Sequence, residues 1–308
     1  KNTVYCRFIQ ARGRSLSQLM TTREVAGYLR IKERKVYDLL RGKHIPSTRV
    51  TGKWLFPKHL IDQWVADGTE FPDRAMPSPP PVLAGSHDPL LEWSLNESGC
   101  GLALMPGGSL DGLERLAAGE AVICGLHVFD PESGGYNRAA VERTFKGLDV
   151  VLIEWAWRRQ GLVLAPDNPL GIAGVQDLAA KKARVIARQP EAGAQILLQY
   201  LLAEAGLAMA DLKVLDHPVR SETDLGLAVL EGKADAGLAV ASVAHQFRLD
   251  FLDLHQERYD LAVRRRDFFE APVQALLAFA ASDGFATRAA EMAGYDVSGL
   301  GRVVYNAP

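Results

Sequence analysis

Residues 21–42 read TTREVAGYLRIKERKVYDLLRG, and this stretch decides the fold of the first part of the chain. Thr21, followed three residues later by Glu24, forms a capping box, which predicts that a helix begins after Thr21. Val25 and Leu29 fall at helical spacing and predict the buried face of that helix. The stretch therefore opens with a short amphipathic helix.

A second helix is predicted from about Lys32 to Arg41, with Gly42 as the left-handed residue beyond its end. Residues 30–46 hold seven Lys, Arg or His side chains and only two acidic ones. The apolar positions at helical spacing are Val36, Leu39 and Leu40. If these are buried, the basic side chains at the start of the helix must face solvent.

The next segment, residues 44–57, reads HIPSTRVTGKWLFP and predicts a short hairpin. Its turn is predicted at residues 50–53, where Gly52 would supply the positive φ. Pro57 then predicts the start of a third helix with Ile61 on its inner face. Two short helices, a hairpin and a closing helix are the elements of a winged helix-turn-helix.

The charge of the chain is unevenly distributed. Residues 1–65 contain fourteen Lys or Arg and four acidic residues, a net charge of +10, although the whole chain has a formal charge of −2. Such a split indicates that the first part meets a polyanion. A solvated basic face without a partner is the alternative that charge alone leaves open.

A recognition helix enters the major groove with its N-terminal half, and a wing turn lies against phosphates or the minor groove. Arginine and lysine neutralise phosphates, and arginine reads guanine most often. The basic helix and the turn therefore predict contacts with DNA. The predicted DNA-binding residues are Thr22, Arg23, Lys32, Arg34, Lys35, Tyr37, Arg41, Lys43, Arg49 and Lys53.

Residues 19–65 resemble the excisionase-type winged helix-turn-helix, which is related to the MerR class. The pieces TTREVAGYL, RKVYDLLR, IPSTRV and KWLFP occur in the order and spacing of that family. Lys32 departs from the pattern, because the family usually has Ser or another capping residue there, and the start of the second helix stays open. The resemblance implies a DNA-binding domain; a winged helix used for protein contacts is the alternative.

A proline-rich stretch separates this domain from the rest. Residues 70–81 read EFPDRAMPSPPP, a composition typical of an extended, semi-rigid linker. Residues 1–18 show no clear period, and we interpret them as an N-terminal lead or arm. The predicted domains are a winged helix-turn-helix at 19–69 and a larger second domain at 82–308.

The second domain alternates short apolar runs with helical segments, which predicts an α/β fold with a largely parallel sheet. Residues 149–169, DVVLIEWAWRRQGLVLAPDNP, are predicted to hold two strands. In such folds, ligands bind at the carboxyl ends of strands, close to the starts of the following helices. The loops after the strands are therefore where a binding site is expected.

Three polar loops fall at those strand ends, at residues 86–88, 107–109 and 188–195. Backbone N–H groups at helix starts, together with Ser hydroxyls and an arginine, suit a small anion. Ser86 and Ser109, taken singly, are better explained as ordinary helix N-caps. Taken together, the three loops favour a ligand cleft.

Residues 82–308 resemble the periplasmic-binding-protein-like domain that follows this type of winged helix in bacterial regulators and that is also attached to molybdopterin-biosynthesis proteins. Among the matching pieces are GSHDPLL, RRQGLVLAP and ERYDLAV. The resemblance implies a two-lobed, type II binding-protein fold, similar to molybdate-binding proteins. It implies lobe one at 82–159 and 260–308, and lobe two at 160–259.

One part of this resemblance is broken. Family members commonly carry Gly-Ser-Gly-Thr-Arg after the Arg-Gln of the third loop, whereas residues 191–195 read EAGAQ. Either the ligand differs, or an anion is held mainly by Ser86, Ser109 and backbone amides. The predicted ligand-binding residues are Ser86, His87, Asp88, Gly108, Ser109, Tyr136, Asn137, Arg188, Gly193, Ala194, Gln195, His217 and Tyr259.

The sequence shows no motif of an enzyme: Walker A, the dinucleotide fingerprint and HExxH do not occur, and residues 107–111 lack the final Gly of a nucleophile elbow. No cofactor or metal is predicted, because His87/Asp88 and His127/Asp130 lack further ligands at metal spacing. The three sparse cysteines fit a reduced cytosolic protein. No apolar run approaches the ~20 residues of a membrane span.

The sequence thus predicts a cytoplasmic, ligand-responsive transcription regulator that binds operator DNA as a homodimer. By resemblance, its effector is a small solute, with an oxyanion such as molybdate or tungstate as the first expectation. The alternative is an excisionase-like architectural DNA-binding protein with a vestigial, ligand-free C-terminal domain, which a cleft filled by side chains would favour. An enzyme or carrier in molybdenum-cofactor assembly has the least support, because the first domain is basic and no catalytic constellation is evident.

Overall fold

The structure is a computed structural model that describes residues 19–50, 52–67, 79–145 and 149–307. The chain divides into two compact units, Lys1–Pro77 and Ser78–Pro308. The predicted lead at 1–18 and most of the predicted linker at 70–81 lie outside the described residues.

The described part of the first unit consists of two short strands and three helices: β1 (Leu19–Thr21), α1 (Thr22–Tyr28), α2 (Glu33–Arg41), β2 (Leu55–Pro57) and α3 (Lys58–Asp67). β1 and β2 pair antiparallel. One apolar cluster joins all of these elements and comprises Met20, Val25, Ala26, Val36, Ile45, Phe56 and Ile61. The two first helices are therefore packed as a pair on a small sheet.

The two predicted helix ends have different outcomes. The capping box is confirmed, because the Thr21 hydroxyl accepts from the Glu24 N–H at 3.3 Å while the Glu24 carboxylate accepts from the Thr21 N–H at 2.8 Å. The prediction for Gly42 is wrong: its φ is −80°, and the left-handed residue is Lys43 at φ +55°. A Cβ atom at position 42 would meet only the exposed His44 ring, at 2.4 Å, which can move aside.

The hairpin is shorter than predicted. A single bridge pairs Thr48 with Leu55, whereas all of β2, Leu55 included, pairs with β1. Gly52 does have a positive φ, and its N–H donates to the Arg49 carbonyl, so the turn begins at Arg49. Pro57 ends β2 and does not open the helix, which begins at Lys58.

In the second unit, the first group of elements is β3 (Val82–Gly85), α4 (Pro89–Ser98), β4 (Ala103–Pro106), α5 (Ser109–Ala118), β5 (Ile123–Leu126), β6 (Phe129–Asp130), β7 (Gly135–Tyr136), α6 (Arg138–Phe145) and β8 (Val150–Leu164). The second group is α7 (Gln176–Ala180), β9 (Arg184–Val185), α8 (Gly193–Glu204), a 3₁₀ turn (Met209–Asp211), β10 (Lys213–Val214), α9 (Glu222–Leu230), β11 (Ala236–Val240) and α10 (Ala241–Phe247). The last group is β12 (Asp250–Arg264), α11 (Ala271–Ala280), α12 (Asp283–Glu291), β13 (Tyr295–Asp296) and β14 (Val303–Asn306).

β6 and β7 form a two-stranded sheet of their own. The other strands form one sheet in the order β10-β9-β11-β8-β12-β5-β3-β4, with β13 and β14 also paired to β8. The sheet is parallel at both ends and antiparallel in the middle, because β8 and β12 run against their neighbours. The expected pair of strands within 149–169 is in fact the single strand β8. Its polar Arg-Arg-Gln segment continues the ladder with β12 and does not turn.

The two long strands connect two lobes. We call lobe one the elements β3–β7, α4–α6 and α11–β14, and lobe two the elements α7–α10 with β9–β11; β8 and β12 cross between them. Each lobe has its own buried apolar clusters. The β6–β7 hairpin is the exception, because Phe129 packs on Tyr200 of lobe two, with ring centroids 4.8 Å apart.

Cys100 and Cys124 are buried and free, as predicted, and Cys6 lies outside the described residues. Burial raises the pKa of the Cys124 thiol. Within the described residues, no helix is both long enough and apolar enough to cross a membrane.

Candidate ligand site and DNA interface

Three helix starts meet at His127 in the second unit. The Ser86 hydroxyl, in the loop before α4, lies 2.7 Å from His127 Nε2. The Ser109 hydroxyl, at the first residue of α5, accepts from the His127 N–H at 3.2 Å. Gly193, the first residue of α8 in lobe two, is so close that a Cβ atom would lie 2.8 Å from His127 Nδ1. Two loops of lobe one and one of lobe two thus converge on His127, with Ser86 at its ring and Ser109 at its backbone N–H.

A buried carboxylate lies on the other side of this imidazole. Glu257 of β12 and His127 Nδ1 are 2.7 Å apart, and both side chains are fully buried. Burial alone would raise the pKa of Glu257, but Arg158 and His127, with a hydrogen bond from Gln160, hold that pKa at about 2. Glu257 is therefore ionised at neutral pH and acts only as an acceptor.

Arg158 of β8 connects the Glu257 carboxylate to the loop at residues 86–88. Its guanidinium contacts Glu257 and donates to Asp88 at 2.8 Å, and it lies over the Tyr259 ring with its Cζ 4.4 Å from the ring centroid. Asp88 also caps α4 and accepts from the Tyr295 hydroxyl at 2.6 Å. An arginine with two carboxylates keeps the buried charges paired.

A second buried pair belongs to lobe two and reaches across to lobe one. Arg188 donates to Glu222 at 2.7 Å, at the first residue of α9. The Glu222 N–H donates to His87 Nδ1 at 3.3 Å, and His87 Nε2 lies 3.0 Å from Glu92. The hydrogen bond from His87 lowers the pKa of Glu92. His87 therefore joins the lobes, with Nδ1 toward the backbone of Glu222 and Nε2 toward Glu92.

The lobes contact each other where the loop at residues 107–109 of lobe one meets the loop at residues 188–195 of lobe two. Gly108 has a φ of +100°, and a Cβ atom there would lie 2.8 Å from the backbone of Glu191. The Leu110 N–H donates to the Glu191 carbonyl at 3.2 Å. A side chain at position 108 would therefore hold the two loops apart.

Some buried polar atoms of this cluster have no hydrogen-bond partner among the described residues. They are Arg158 Nε, Gln160 Oε1 and Arg188 Nε, on side chains that are at most 3% exposed. An unsatisfied buried polar atom costs about 1–3 kcal/mol. A small polar ligand between the lobes is one way to satisfy such atoms.

The sequence-predicted residues separate into three groups. One group lies in or beside the buried cluster: Ser86, His87, Asp88, Gly108, Ser109, Arg188, Gly193 and Tyr259. A second group is buried away from the cluster. Its members either pack in an apolar cluster or form hydrogen bonds that stabilise the fold: Tyr136, Asn137, Ala194 and Gln195. His217 stands apart, on an open groove of about 520 Å³ beside α9.

Sequence reasoning missed the side chains that complete the cluster. Glu257, Arg158 and Gln160 lie on the crossing strands, and Glu222 lies at a helix start. His127 entered only as a disfavoured metal ligand. The available signal was charge inside strands that are otherwise apolar, since buried charges in a sheet must be paired. No group of three His, Cys, Asp or Glu in the described chain is placed to hold a metal.

Ser86, His127 and Glu257 follow the hydroxyl–imidazole–carboxylate order of a hydrolase triad. The Ser86 side chain is fully buried, with the carbonyl of the same residue accepting from the Tyr259 hydroxyl at 2.5 Å. The closed lobes bring Gly193 onto the imidazole itself. In this closed form, neither the Ser86 hydroxyl nor the His127 imidazole is open to a substrate.

In the first unit, the predicted DNA-binding side chains lie on α1, on and around α2, and at the turn, and all but one are exposed to solvent. Arg34 and Lys35 are exposed at the start of α2, whereas Val36 is fully buried. Arg49 lies over the Trp54 ring, with its Cζ 5.3 Å from the centroid. The other exposed members are Arg23, Lys32, Tyr37, Arg41, Lys43 and Lys53, and Thr22 is half-buried.

Comparison with known proteins agrees with these two units. The profile of the PBP superfamily domain matches residues 92–281, which is more than half of the chain. The chain belongs to the PBP superfamily. A helix-turn-helix domain profile matches residues 19–69, so this PBP-superfamily chain carries a DNA-binding type of domain ahead of its ligand-binding type of domain.

Individual relatives support the same architecture. The uncharacterized protein YvgK of Bacillus subtilis (strain 168) is 27% identical over 92% of this chain and 97% of its own length. A solved Clostridium perfringens protein, described as a phosphate ABC transporter substrate-binding protein with bound phosphate, is 11% identical, with a TM-score of 0.53 over 70% of this chain and 99% of its own. At this identity the likeness is one of fold.

Proposed function

We propose that this PBP-superfamily chain is a ligand-responsive, DNA-binding transcription regulator. Its helix-turn-helix domain binds operator DNA, and its two-lobed domain binds a small solute. The observation that carries this proposal is the buried polar cluster between the lobes, which lies on the same chain as an exposed basic helix. Because DNA is the partner, the proposal places the protein in the bacterial cytoplasm.

On the DNA side, the proposal assigns base and phosphate contacts to the start of α2. Arg34 and Lys35 are exposed there, and burial of Val36 fixes which face of the helix points outward. Arg49 and Lys53 flank the turn that we propose as a wing against the phosphates or minor groove. Regulators of this build act as homodimers on paired half-sites, and we propose the same for this chain.

On the ligand side, we propose a small oxyanion as the effector, with molybdate, tungstate, sulfate and phosphate as candidates. Three helix starts converge at His127, and helix N-termini favour negative charge. The buried arginines Arg158 and Arg188 already face carboxylates, so neutral donors would hold most of the anion. The bound phosphate of the Clostridium perfringens protein adds support by analogy.

Ligand and DNA are coupled in the proposal through lobe closure. A solute that bridges Ser86 and Ser109 of lobe one and the start of α8 favours the closed state. It shifts the population only to the extent that it binds the closed state more tightly than the open one. In a homodimer, that shift changes the spacing of the two DNA-binding domains.

A second candidate function is favoured by one observation. The groups between the lobes are paired with one another and are fully or nearly fully buried, as in the Arg158–Glu257 and Arg188–Glu222 pairs. Such a filled interface is what an architectural DNA-binding protein with a ligand-free second domain would show. The two candidates differ in whether any solute binds.

A thermal-shift screen of the full chain separates them. The compounds are molybdate, tungstate, sulfate, phosphate and small organic acids. A sensor gains about 2.7 kcal/mol at a ligand concentration one hundred times the Kd, so one compound should raise Tm saturably. Operator binding without a shift for any compound would favour the architectural protein.

A further inference from the structure

The outward side of α2 carries an acidic residue among its basic ones. Val36 marks the inner side of this helix, because its side chain is fully buried in the apolar cluster of the first unit. With 3.6 residues per turn, the side opposite Val36 is formed by Arg34, Asp38 and Arg41, all of which are exposed. Asp38 therefore lies between two arginines on the side that the proposed function turns toward DNA.

Asp38 contacts one of these arginines. Arg41 Nη2 lies 3.0 Å from Asp38 Oδ1, three residues further along the helix. This pair uses one oxygen of the carboxylate, and the Asp38 side chain remains 47% exposed. An exposed ion pair at this spacing contributes little to the stability of a helix. Helix stability therefore does not account for an acidic residue at the centre of this surface.

A carboxylate at this position weakens binding to DNA of arbitrary sequence. Residues 1–65 carry a net charge of +10, and phosphates attract such a surface whatever the base sequence is. Phosphates repel a carboxylate, which also loses bound water when it enters a groove. This cost is offset only where a base donates a hydrogen bond to the carboxylate.

The major groove offers two kinds of amino group as donors. Cytosine presents N4, and adenine presents N6 beside the acceptor N7. A carboxylate accepts hydrogen bonds and cannot donate one to N7, so adenine is a poor partner. Cytosine has no acceptor of its own on this edge. Cytosine is therefore the base that suits Asp38.

We infer that Asp38 is a specificity-determining residue, which accepts a hydrogen bond from the N4 amino group of a cytosine in the major groove of the operator. The inference rests on the proposed function, because it requires α2 to be the recognition helix. Asp38 lowers the affinity for every duplex and raises the preference for one G·C pair in each half-site.

The test measures the base preference of the full chain. An operator is selected from a pool of random duplexes, each of its base pairs is replaced in turn, and the Kd is measured by fluorescence anisotropy at fixed salt. For wild type, replacing the G·C pair that Asp38 contacts should raise the Kd about five- to 150-fold. In Asp38→Ala this penalty should disappear, while the penalties at other positions remain. Asp38→Asn should instead prefer adenine at that position, because an amide pairs with adenine N6 and N7.

Glu33→Gln is the matched control. Glu33 is the other acidic residue of α2, and it is exposed, but it lies three residues before Val36, nearer the buried side of the helix. Both Glu33→Gln and Asp38→Asn remove one negative charge, so both should raise the affinity for a non-specific duplex. Only the Asp38 variants should change the base preference. Melting curves check that each variant is folded.

The outcomes separate this inference from the proposed function. If both Asp38 variants kept the base preference of wild type, or lost it at an A·T pair, the inference would be overturned and the regulator would stand. If wild type selected no operator, or the Arg34→Ala, Lys35→Ala variant bound its operator normally, the recognition role of α2 would be overturned together with the inference.

Discussion

Gly193 of lobe two lies directly on His127 of lobe one: a Cβ atom on Gly193 would stand 2.5 Å from the His127 carbonyl oxygen. The ring that positions Ser86 is thus also the surface on which the lobes close. Real Cβ atoms do not approach backbone this closely, so any side chain at position 193 must separate the lobes. In this fold, a single glycine couples lobe closure to the proposed site.

Gly193→Ala should therefore weaken anion binding by favouring the open form. We expect at least about a tenfold rise in the phosphate Kd, since a population shift of 1.4 kcal/mol has that effect. Gly284→Ala is the matched control, because it adds the same methyl group in α12, where the nearest atom is 3.8 Å away. Calorimetry on both variants checks the prediction, and an unaltered Kd for Gly193→Ala would mean that closure is not needed for binding.

Arg34→Ala with Lys35→Ala should abolish specific DNA binding without unfolding the chain. Both side chains are exposed, so their loss removes no buried contact. Each lost phosphate contact should reduce the slope of log K against log salt by about one. Electrophoretic mobility shifts on a selected operator measure the effect. As a control, Lys213→Ala with Lys233→Ala removes two exposed charges from the second unit and should leave DNA binding intact. If the Arg34→Ala, Lys35→Ala variant still retarded the operator normally, α2 would not be the recognition helix.

Glu257 should make the stability of the second unit depend on acid pH. Its pKa is about 2, below the ordinary value of 4.5, so its ionised form is stabilised in the folded state. That stabilisation is present above about pH 4.5 and is lost as the pH falls toward 2. Urea unfolding of wild type between pH 5.5 and 3.5 should show the loss.

Glu257→Gln should lower the unfolding free energy by about 3–5 kcal/mol near neutral pH, because it leaves Arg158 with Asp88 alone. Its difference from wild type should shrink as the pH falls through 4.5. Glu291→Gln, at an exposed carboxylate, serves as the control. If the difference in unfolding free energy between wild type and Glu257→Gln stayed constant between pH 5.5 and 3.5, the buried, ionised state of Glu257 would be contradicted.

Local patterns predicted the parts of the fold that depend on neighbouring residues. The capping box at Thr21, the buried face around Val25 and the loops at Ser86 and Ser109 each follow from residues close in sequence. The strand β8 was mispredicted for the same reason. Its Arg-Arg-Gln segment has the local composition of a turn, but long-range pairing with β12 keeps it extended.

The centre of the candidate site could not be predicted in this way. His127 and Glu257 are 130 residues apart, and Arg158 is 99 residues from Glu257. Periodicity shows which apolar groups are buried, but it does not show which buried charges pair, because pairing depends on how distant strands are ordered in the sheet.

The most direct test of a ligand-responsive regulator is the operator affinity of the full chain with and without its effector. The operator is first selected from a pool of random duplexes, and binding is measured by fluorescence anisotropy at fixed salt, with inorganic phosphate at saturation. Coupling of 1–3 kcal/mol predicts a change in the DNA Kd of about five- to 150-fold. Saturable phosphate binding with no change in the DNA Kd would contradict the account, because the two domains would then not communicate.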